Sequence, residues 1–134
     1  LNVVLLSDVA ACSKMRSSAV ALSGADSLLP DGSLVNKTGT LPLFASARAF
    51  GRCAMAVSTE SKVLPGGIQP QTEEGDAGEL GDLPAGVAAE NPTFELVPGR
   101  LVGRIVTEDG TVERGALERR ADWLKSVREG LVRR

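Results

Sequence analysis

The chain has 134 residues, of which 43% are hydrophobic and 24% charged, with a formal net charge of −2, two cysteines and no histidine. A chain of this length can bury a core without disulfide or metal support, and two cysteines are too few for a disulfide framework. The lack of histidine excludes Ser-His-Asp and Cys-His nucleophile systems, and histidine metal sites, built from this chain alone.

The sequence carries no targeting or membrane signal. No apolar run approaches the roughly 18–20 residues that span a bilayer, and no basic-then-apolar signal segment begins the chain. We therefore expect a cytoplasmic protein with no membrane association, in which Cys12 and Cys53 are reduced, buried thiols. The chain begins at Leu1 rather than at methionine, and an apolar run follows almost at once, which predicts that residue 1 is not a natural start.

Short apolar runs alternate with helical patterns at the start of the chain. Residues 3–6 are continuously apolar, which predicts a strand buried on both faces of a parallel sheet. Ser7 or Asp8 is expected to cap a helix that ends near Ser17, and residues 19–22 predict a second buried strand.

The next segment predicts a hairpin, a helix and a strand. Apolar pairs at 28–29 and 34–35 flank Asp31-Gly32, a dipeptide that favours a type I′ turn. Thr38 or Thr40 is expected to cap a helix that runs to Phe50 and stops at Gly51, and residues 54–57 form the following strand. This order predicts an α/β fold, a Rossmann-like parallel sheet with flanking helices, in which ligands lie at the carboxyl ends of the strands.

Charge is spread unevenly along the chain. Residues 63–99 contain seven acidic and no basic side chains, against six basic and four acidic before them and nine basic and six acidic after them. The Gly- and Pro-rich part at about 64–92 predicts a long acidic surface loop. A solvated insertion is the simpler interpretation, and a lid over a site is the alternative.

The last third predicts two helices around a turn. Residues 97–106 are expected to be helical, 107–112 to form a turn on Asp109-Gly110, and 117 to the end to form an amphipathic helix with Trp123 and Val127 beside its apolar stripe. The basic side chains of this helix, which include Arg133 and Arg134, are interrupted by acidic ones and lack an aromatic platform. We therefore expect no direct nucleic-acid binding.

One stretch combines groups suited to chemistry. Asp26 follows a predicted strand, and Asn36 and Lys37 follow the hairpin, just before a Thr-Gly-Thr helix start whose free N–H groups favour an anion. A carboxylate that exchanges protons near an ammonium group suits a phosphorylated substrate with a hydroxyl or carbonyl group. The structural alternative is that Asp26 caps a turn, Lys37 is solvated and Asn36 closes the hairpin.

The string GADSLLPDGSLVNKTGT at 24–40 resembles the "GAD…NG…NKxGT" signature of the initiation factor 2B superfamily. Glu60-Ser61-Lys62 is similar to the family's ETYK-like segment, residues 91–98 to its NPxFDxxP segment and residues 105–110 to its IITExG segment. The resemblance runs from about residue 3 to residue 115 and covers the last part of a family member. Residues 1–134 are thus interpreted as the C-terminal portion of a larger Rossmann-like domain, with the acidic loop at about 64–92.

The resemblance implies specific roles for four residues. Asp26 matches the catalytic aspartate of the family's isomerases, Asn36 and Lys37 match the pair that contacts the sugar phosphate, and Lys62 matches a lysine near the phosphate. The implied activity is aldose–ketose isomerisation of a sugar phosphate such as ribose 1,5-bisphosphate or methylthioribose 1-phosphate, without metal or cofactor.

The isomerases' catalytic cysteine belongs to an upstream segment, and neither Cys12 nor Cys53 is placed to replace it. The alternative implied by the same resemblance is a non-catalytic, initiation factor 2B-like regulatory subunit that binds a phosphorylated sugar or nucleotide and partner subunits. A third interpretation is a related domain that has lost both roles. A homodimer or higher oligomer is expected, because family members commonly dimerise through this domain.

Overall fold

A computed structural model describes residues 1–70 and 72–132. The described part contains three helices, α1 (Asp8–Lys14), α2 (Thr40–Ala49) and α3 (Arg114–Val132). The strands are β1 (Val20–Gly24), β2 (Ser27–Leu28), β3 (Leu34–Lys37), β4 (Cys53–Val57), β5 (Phe94–Val97), β6 (Arg104–Thr107) and β7 (Gly110–Val112). Short 3-10 turns lie at Met15–Ser17, Glu60–Lys62 and Ala77–Leu80.

The strands form two sheets. In the four-stranded sheet, with the order β1-β4-β6-β7, the first three strands are parallel and β7 runs antiparallel to β6. The three-stranded sheet, β2-β3-β5, is antiparallel throughout. The predicted α/β fold with flanking helices is confirmed, and the sheet is mixed because the β6-β7 hairpin adds an antiparallel edge to the parallel strands.

Helix α2 packs against both sheets and supplies the centre of the core. It lies against β1 and β4 of the first sheet and β5 of the second. Its Phe44 is completely buried, as are Leu28, Leu34 and Val97 of the three-stranded sheet. Burial of a large aromatic side chain and its aliphatic neighbours removes several hundred square ångströms of apolar surface from water, and is the main force holding the two sheets together.

The four-stranded sheet has one covered and one open face. Side chains alternate along its strands, so that Ala21 of β1 and Ala54 of β4 are buried in the core. On the other face Leu22 is 60% exposed and Val57 46% exposed. Alternation of this kind is typical of a sheet with one solvated face, whereas parallel strands are usually covered on both sides.

Two predicted elements are wrong. Residues 3–6 form no strand, and their side chains are exposed, because this run has no strand partner in the described part of the chain and a strand requires a backbone ladder. Residues 97–106 are not helical but span the end of β5 and the beginning of β6. Pro98 and Gly99 turn the chain there, and the buried Ile105 and Thr107 alternate with the exposed Arg104, a period of two rather than 3.6.

The hairpin at 28–35 is confirmed, with a different turn. Gly32 has a φ of 80°, but no non-glycine residue in the described ranges has positive φ, so Asp31 cannot occupy a type I′ position. Leu29 N–H donates to Ser33 O (2.9 Å) and Gly32 N–H donates to Leu29 O (3.0 Å). The loop therefore has three residues, beginning at Pro30 and ending on a left-handed glycine.

Helices α1 and α2 end where the sequence predicts, but the N-cap of α2 differs from the prediction. Met15–Ser17 extends α1 to Ser17 as expected, and Gly51, with a φ of 64°, follows α2. Neither Thr38 nor Thr40 caps α2, whose N-cap is Gly39 with a φ of 108°. A left-handed N-cap has no side-chain acceptor of its own, so the first N–H groups of the helix need another partner.

The predicted C-terminal helix is confirmed, and its apolar stripe is covered only at the start. Leu117 and Ala121 are buried in the core, whereas Leu131 is 71% exposed. Arg133 and Arg134 lie outside the described residues. Within the described ranges, no helix is both long and apolar enough to cross a membrane.

The expectation of two buried thiols is wrong for Cys53, which is exposed, while Cys12 is half-buried. Cys53 begins β4 on the open face of the four-stranded sheet, where the pleat directs alternate side chains away from the core.

Candidate functional site

A cavity of about 170 Å³ lies beyond the C-terminal end of β1. Its lining combines two carboxylates, an ammonium group, a hydroxyl group and two apolar side chains, supplied by Asp26, Ser27, Val35, Lys62, Glu73 and Phe94. Crevices at the carboxyl ends of strands in α/β sheets are the usual place for ligands. The structure thus brings two of the four predicted site residues, Asp26 and Lys62, into one cavity.

Backbone pairing explains why Asp26 and Lys62 meet. Asp26 N–H donates to Val35 O (2.9 Å), which fixes Asp26 beside β3 just before β2 begins. On the other edge of β2, Val63 forms a parallel bridge with Leu28, and Leu64 N–H donates to Leu28 O (2.9 Å). Because Lys62 immediately precedes this bridge, it lies level with the start of β2 and faces the same cavity as Asp26.

Lys37 reaches the edge of this cavity through an aromatic contact. Lys37 and Phe94 are paired across β3 and β5, and Lys37 Nζ lies 3.7 Å from the centroid of the Phe94 ring. A cation over an aromatic face is stabilised by the ring quadrupole. Phe94 therefore holds the Lys37 ammonium group next to the cavity that the ring itself lines.

Asn36 has a different environment from Lys37. Its side-chain amide donates to Ser23 Oγ (2.9 Å) and to Thr40 Oγ1 (2.9 Å), and Thr40 Oγ1 in turn donates to the Lys37 carbonyl oxygen (2.9 Å). These bonds join the end of β1, the end of β3 and the start of α2. The amide of Asn36 thus fixes the junction that carries Lys37, and its predicted contact with a sugar phosphate stays a prediction.

The helix N-terminus predicted to attract an anion is occupied by a side chain of the same chain. Glu95 Oε1 accepts hydrogen bonds from Gly39 N–H (2.8 Å) and Leu41 N–H (2.7 Å). Glu95 can reach them because it pairs with Asn36 across β3 and β5, three residues before Gly39. A carboxylate interacts favourably with the positive end of the helix dipole, so it satisfies donors that a phosphate would otherwise bind.

Four of the six lining residues, Ser27, Val35, Glu73 and Phe94, were not singled out from the sequence, and Phe94 and Glu73 matter most for the chemistry. Phe94 belongs to the NPTFELVP segment, whose only aromatic residue was a usable signal. Glu73 belongs to residues 63–99, where the local sequence does not distinguish it from the six other acidic side chains. The position of Glu73 at the cavity depends on a long-range contact, because Thr93 N–H and Thr93 Oγ1 both donate to Glu73 O (2.9 Å each).

A second cavity, of about 260 Å³, lies beside the β6-β7 hairpin and suits an anionic ligand less well. Three acidic side chains, Glu60, Asp109 and Glu113, contribute to its lining, and no basic side chain does. In the described part of the chain, no group of three or more Cys, Asp or Glu residues is arranged to hold a metal ion. The cavity with Asp26 and Lys62 is therefore the better candidate for a phosphorylated substrate.

The chain is similar in sequence to methylthioribose-1-phosphate isomerases. The chain is 36% identical over 123 residues to methylthioribose-1-phosphate isomerase of Stenotrophomonas maltophilia, covering 84% of this chain and 35% of that protein. It is 35% identical over 129 residues to the same enzyme of Exiguobacterium sibiricum, covering 88% of this chain and 37% of that protein. The chain thus spans little more than a third of the length of these curated relatives.

Solved structures show the same fold. A crystal structure of 5-methylthioribose 1-phosphate isomerase from Pyrococcus horikoshii matches with a TM-score of 0.77 and 29% identity over 95% of this chain and 38% of that one. Subunit delta of the translation initiation factor eIF-2B from A. fulgidus matches with a TM-score of 0.71 and 21% identity over 80% of this chain and 34% of that one, a likeness of fold alone. The model of the initiation factor 2 subunit family matches residues 1–114, and the chain therefore belongs to that family.

Proposed function

We propose that this chain is the C-terminal, substrate-binding part of a sugar-phosphate aldose–ketose isomerase that acts on methylthioribose 1-phosphate or a closely similar compound. The observation that carries the proposal is the shared cavity, in which the Asp26 carboxylate and the Lys62 ammonium group both face one space. The identity of the sequence relatives supports an isomerase over a regulatory subunit, because the initiation-factor structures share only the fold.

Each proposed site residue has a chemical role. Aldose–ketose isomerisation moves a hydrogen between neighbouring carbons and a proton between their oxygens, and a carboxylate such as Asp26 can take up and return that proton. Lys62 and Lys37 supply positive charge for the phosphate, and Asn36, whose amide donates to Ser23 and Thr40, positions the strand end that carries Lys37. The reaction balances without an oxidant or a reductant.

The cavity is open to solvent, and its volume of about 170 Å³ lies below the roughly 300–1,000 Å³ of typical small-molecule sites. We therefore infer that other parts of the full-length protein, including a reactive cysteine, complete the site. Cys53 cannot serve, because it starts β4 at the end opposite the cavity edge, about 13 Å along the strand.

The proposal is tested by measuring turnover of methylthioribose 1-phosphate and ribose 1,5-bisphosphate by the full-length protein and its Asp26→Asn variant. We expect turnover by the parent and a loss of about 10²-fold or more in kcat for the variant, the usual contribution of a proton-transferring group. Asp31→Asn, a carboxylate in the hairpin loop that accepts hydrogen bonds from Ser33, is the matched control and should leave kcat within about twofold. An inactive parent, or an Asp26→Asn variant as active as the parent, refutes the proposal.

We also propose that the protein forms a homodimer or higher oligomer. Support comes from the exposed apolar side chains on the open sheet face, including Leu22 and Val57, which together form a surface that normally requires cover. Sedimentation of the full-length protein should give a species larger than one chain, and a stable monomer at all concentrations would contradict this.

A further inference from the structure

Glu73 places a second carboxylate in the cavity that holds Asp26 and Lys62. It is the first acidic residue of the segment 64–92, and it lines the cavity together with Phe94. The described lining therefore contains two carboxylates and a single ammonium group, with the Lys37 ammonium group on the Phe94 ring beside them. The proposed roles of Asp26 and Lys62 leave the carboxylate of Glu73 unexplained.

The position of Glu73 is built by the fold. Its carbonyl oxygen accepts from both the backbone N–H and the Oγ1 of Thr93, and Gly75 N–H donates to Asn91 O (2.7 Å). Thr93 O accepts from Thr38 N–H (3.1 Å), so one continuous set of backbone bonds links Glu73 to the residue that follows Lys37. The acidic segment is thus tied to the edge of the three-stranded sheet at this point.

Gly75 makes this close approach possible. A Cβ atom at Gly75 would lie 2.6 Å from Asn91 Nδ2 and 2.8 Å from Thr93 Cγ2, closer than side chains tolerate. The two strands of chain that meet here, 73–75 and 91–93, are therefore packed against each other with no room for a side chain at residue 75. This contact holds the Glu73 backbone in a fixed place relative to Asp26.

We propose that Glu73 determines substrate specificity, by excluding a second phosphate group from the substrate and accepting a hydrogen bond from a neutral sugar hydroxyl instead. This inference rests on the proposed sugar-phosphate function of the same site. One phosphate is matched by Lys62 and Lys37, and the described lining contains no further cation for a second one. A second phosphate would meet the Glu73 carboxylate at short range, and this like-charge repulsion disfavours a bisphosphate.

The part of the lining around Glu73 and Phe94 favours an uncharged group on the substrate. Phe94 lines the cavity together with Glu73, and a thioether packs well against an aromatic ring. A substrate with one phosphate, free hydroxyl groups and an apolar substituent therefore fits the lining better than a bisphosphate. Discrimination by an unpaired or repelled charged group is typically larger than discrimination by a missing methylene.

The test compares the binding of two ligands to the full-length protein by calorimetry: methylthioribose 1-phosphate and ribose 1,5-bisphosphate. We expect the parent to bind the monophosphate more tightly, and Glu73→Gln to improve bisphosphate binding relative to monophosphate binding by about tenfold. Glu73→Asp, which keeps the charge, should keep the parent's ratio of Kd values. Glu74→Gln is the matched control, because Glu74 is an adjacent carboxylate, also exposed, that lies outside the cavity lining, and it should change the ratio by less than about twofold.

The outcomes separate the inference from the proposed function. Binding of both ligands with an unchanged Kd ratio in Glu73→Gln, or an equal change in Glu74→Gln, overturns the role of Glu73 whether or not the protein is an isomerase. Binding with the expected change of ratio, but no turnover by the parent, supports the role of Glu73 and refutes the isomerase. A parent that binds neither ligand overturns both.

Discussion

The two faces of the four-stranded sheet are built from neighbouring residues of the same strands, yet they have opposite environments. On the covered face, Ala21 and Ala54 pack in the core with Phe44 of α2. On the open face, Leu22 and Val57 are about half exposed to solvent. The small residues of the covered face let α2 approach closely, whereas the larger ones of the open face have no partner in the described residues. The covered face therefore stabilises this chain, and the open face is the surface proposed above for contact with a second chain.

The largest effect is expected on the covered face. Phe44→Ala removes the largest completely buried side chain and should lower the free energy of unfolding by about 3–5 kcal/mol, because the transfer energy is lost and a cavity remains. Urea denaturation measures this change. Phe50→Ala, at the exposed end of the same helix, is the control and should cost less than half as much; equal losses would mean that α2 does not organise the core.

An intermediate effect is expected where α2 is anchored. Glu95→Ala leaves Gly39 N–H and Leu41 N–H without their acceptor and should cost about 1–2 kcal/mol of unfolding free energy, a typical value for a lost helix cap. Glu95→Gln keeps an acceptor oxygen and should lose less. Glu90→Ala, an exposed carboxylate of the acidic segment, should be nearly neutral under the same denaturation protocol, and a similar loss there would show that net charge, rather than capping, is responsible.

The smallest effect is expected on the open face. Leu22→Ser should change the unfolding free energy of the 134-residue chain by less than about 0.5 kcal/mol, because Leu22 is exposed. Ala21→Leu, one residue earlier on the covered face, should instead cost about 1–3 kcal/mol through overpacking. Repeating Leu22→Ser in the full-length protein sharpens the comparison: a clear loss there would identify the open face as buried in the whole molecule, and no loss would leave it a solvent surface.

The acidic segment, at about residues 64–92, illustrates what local composition can and cannot predict. Most of its side chains are exposed, and an acidic composition rich in glycine and proline favours such exposure. Composition could not distinguish Glu73 from the other carboxylates, since its place depends on hydrogen bonds to Thr93, twenty residues away. The prediction of a helix at 97–106 is wrong for a related reason. The pairing of β6 with β4, a strand far away in the sequence, overrides the local pattern of apolar residues.

The sequence by itself determined the α/β class and the positions of α2, β4 and the hairpin, because these follow from apolar runs and glycine stops. Its resemblance to a known family singled out Asp26 and Lys62. Only the tertiary structure decided that Asp26 and Lys62 share a cavity, that Asn36 is bonded to Ser23 and Thr40, and that Glu95 fills the helix N-terminus. Each of these depends on the register between strands distant in the chain, and a shift of one residue would turn every such side chain to the other face.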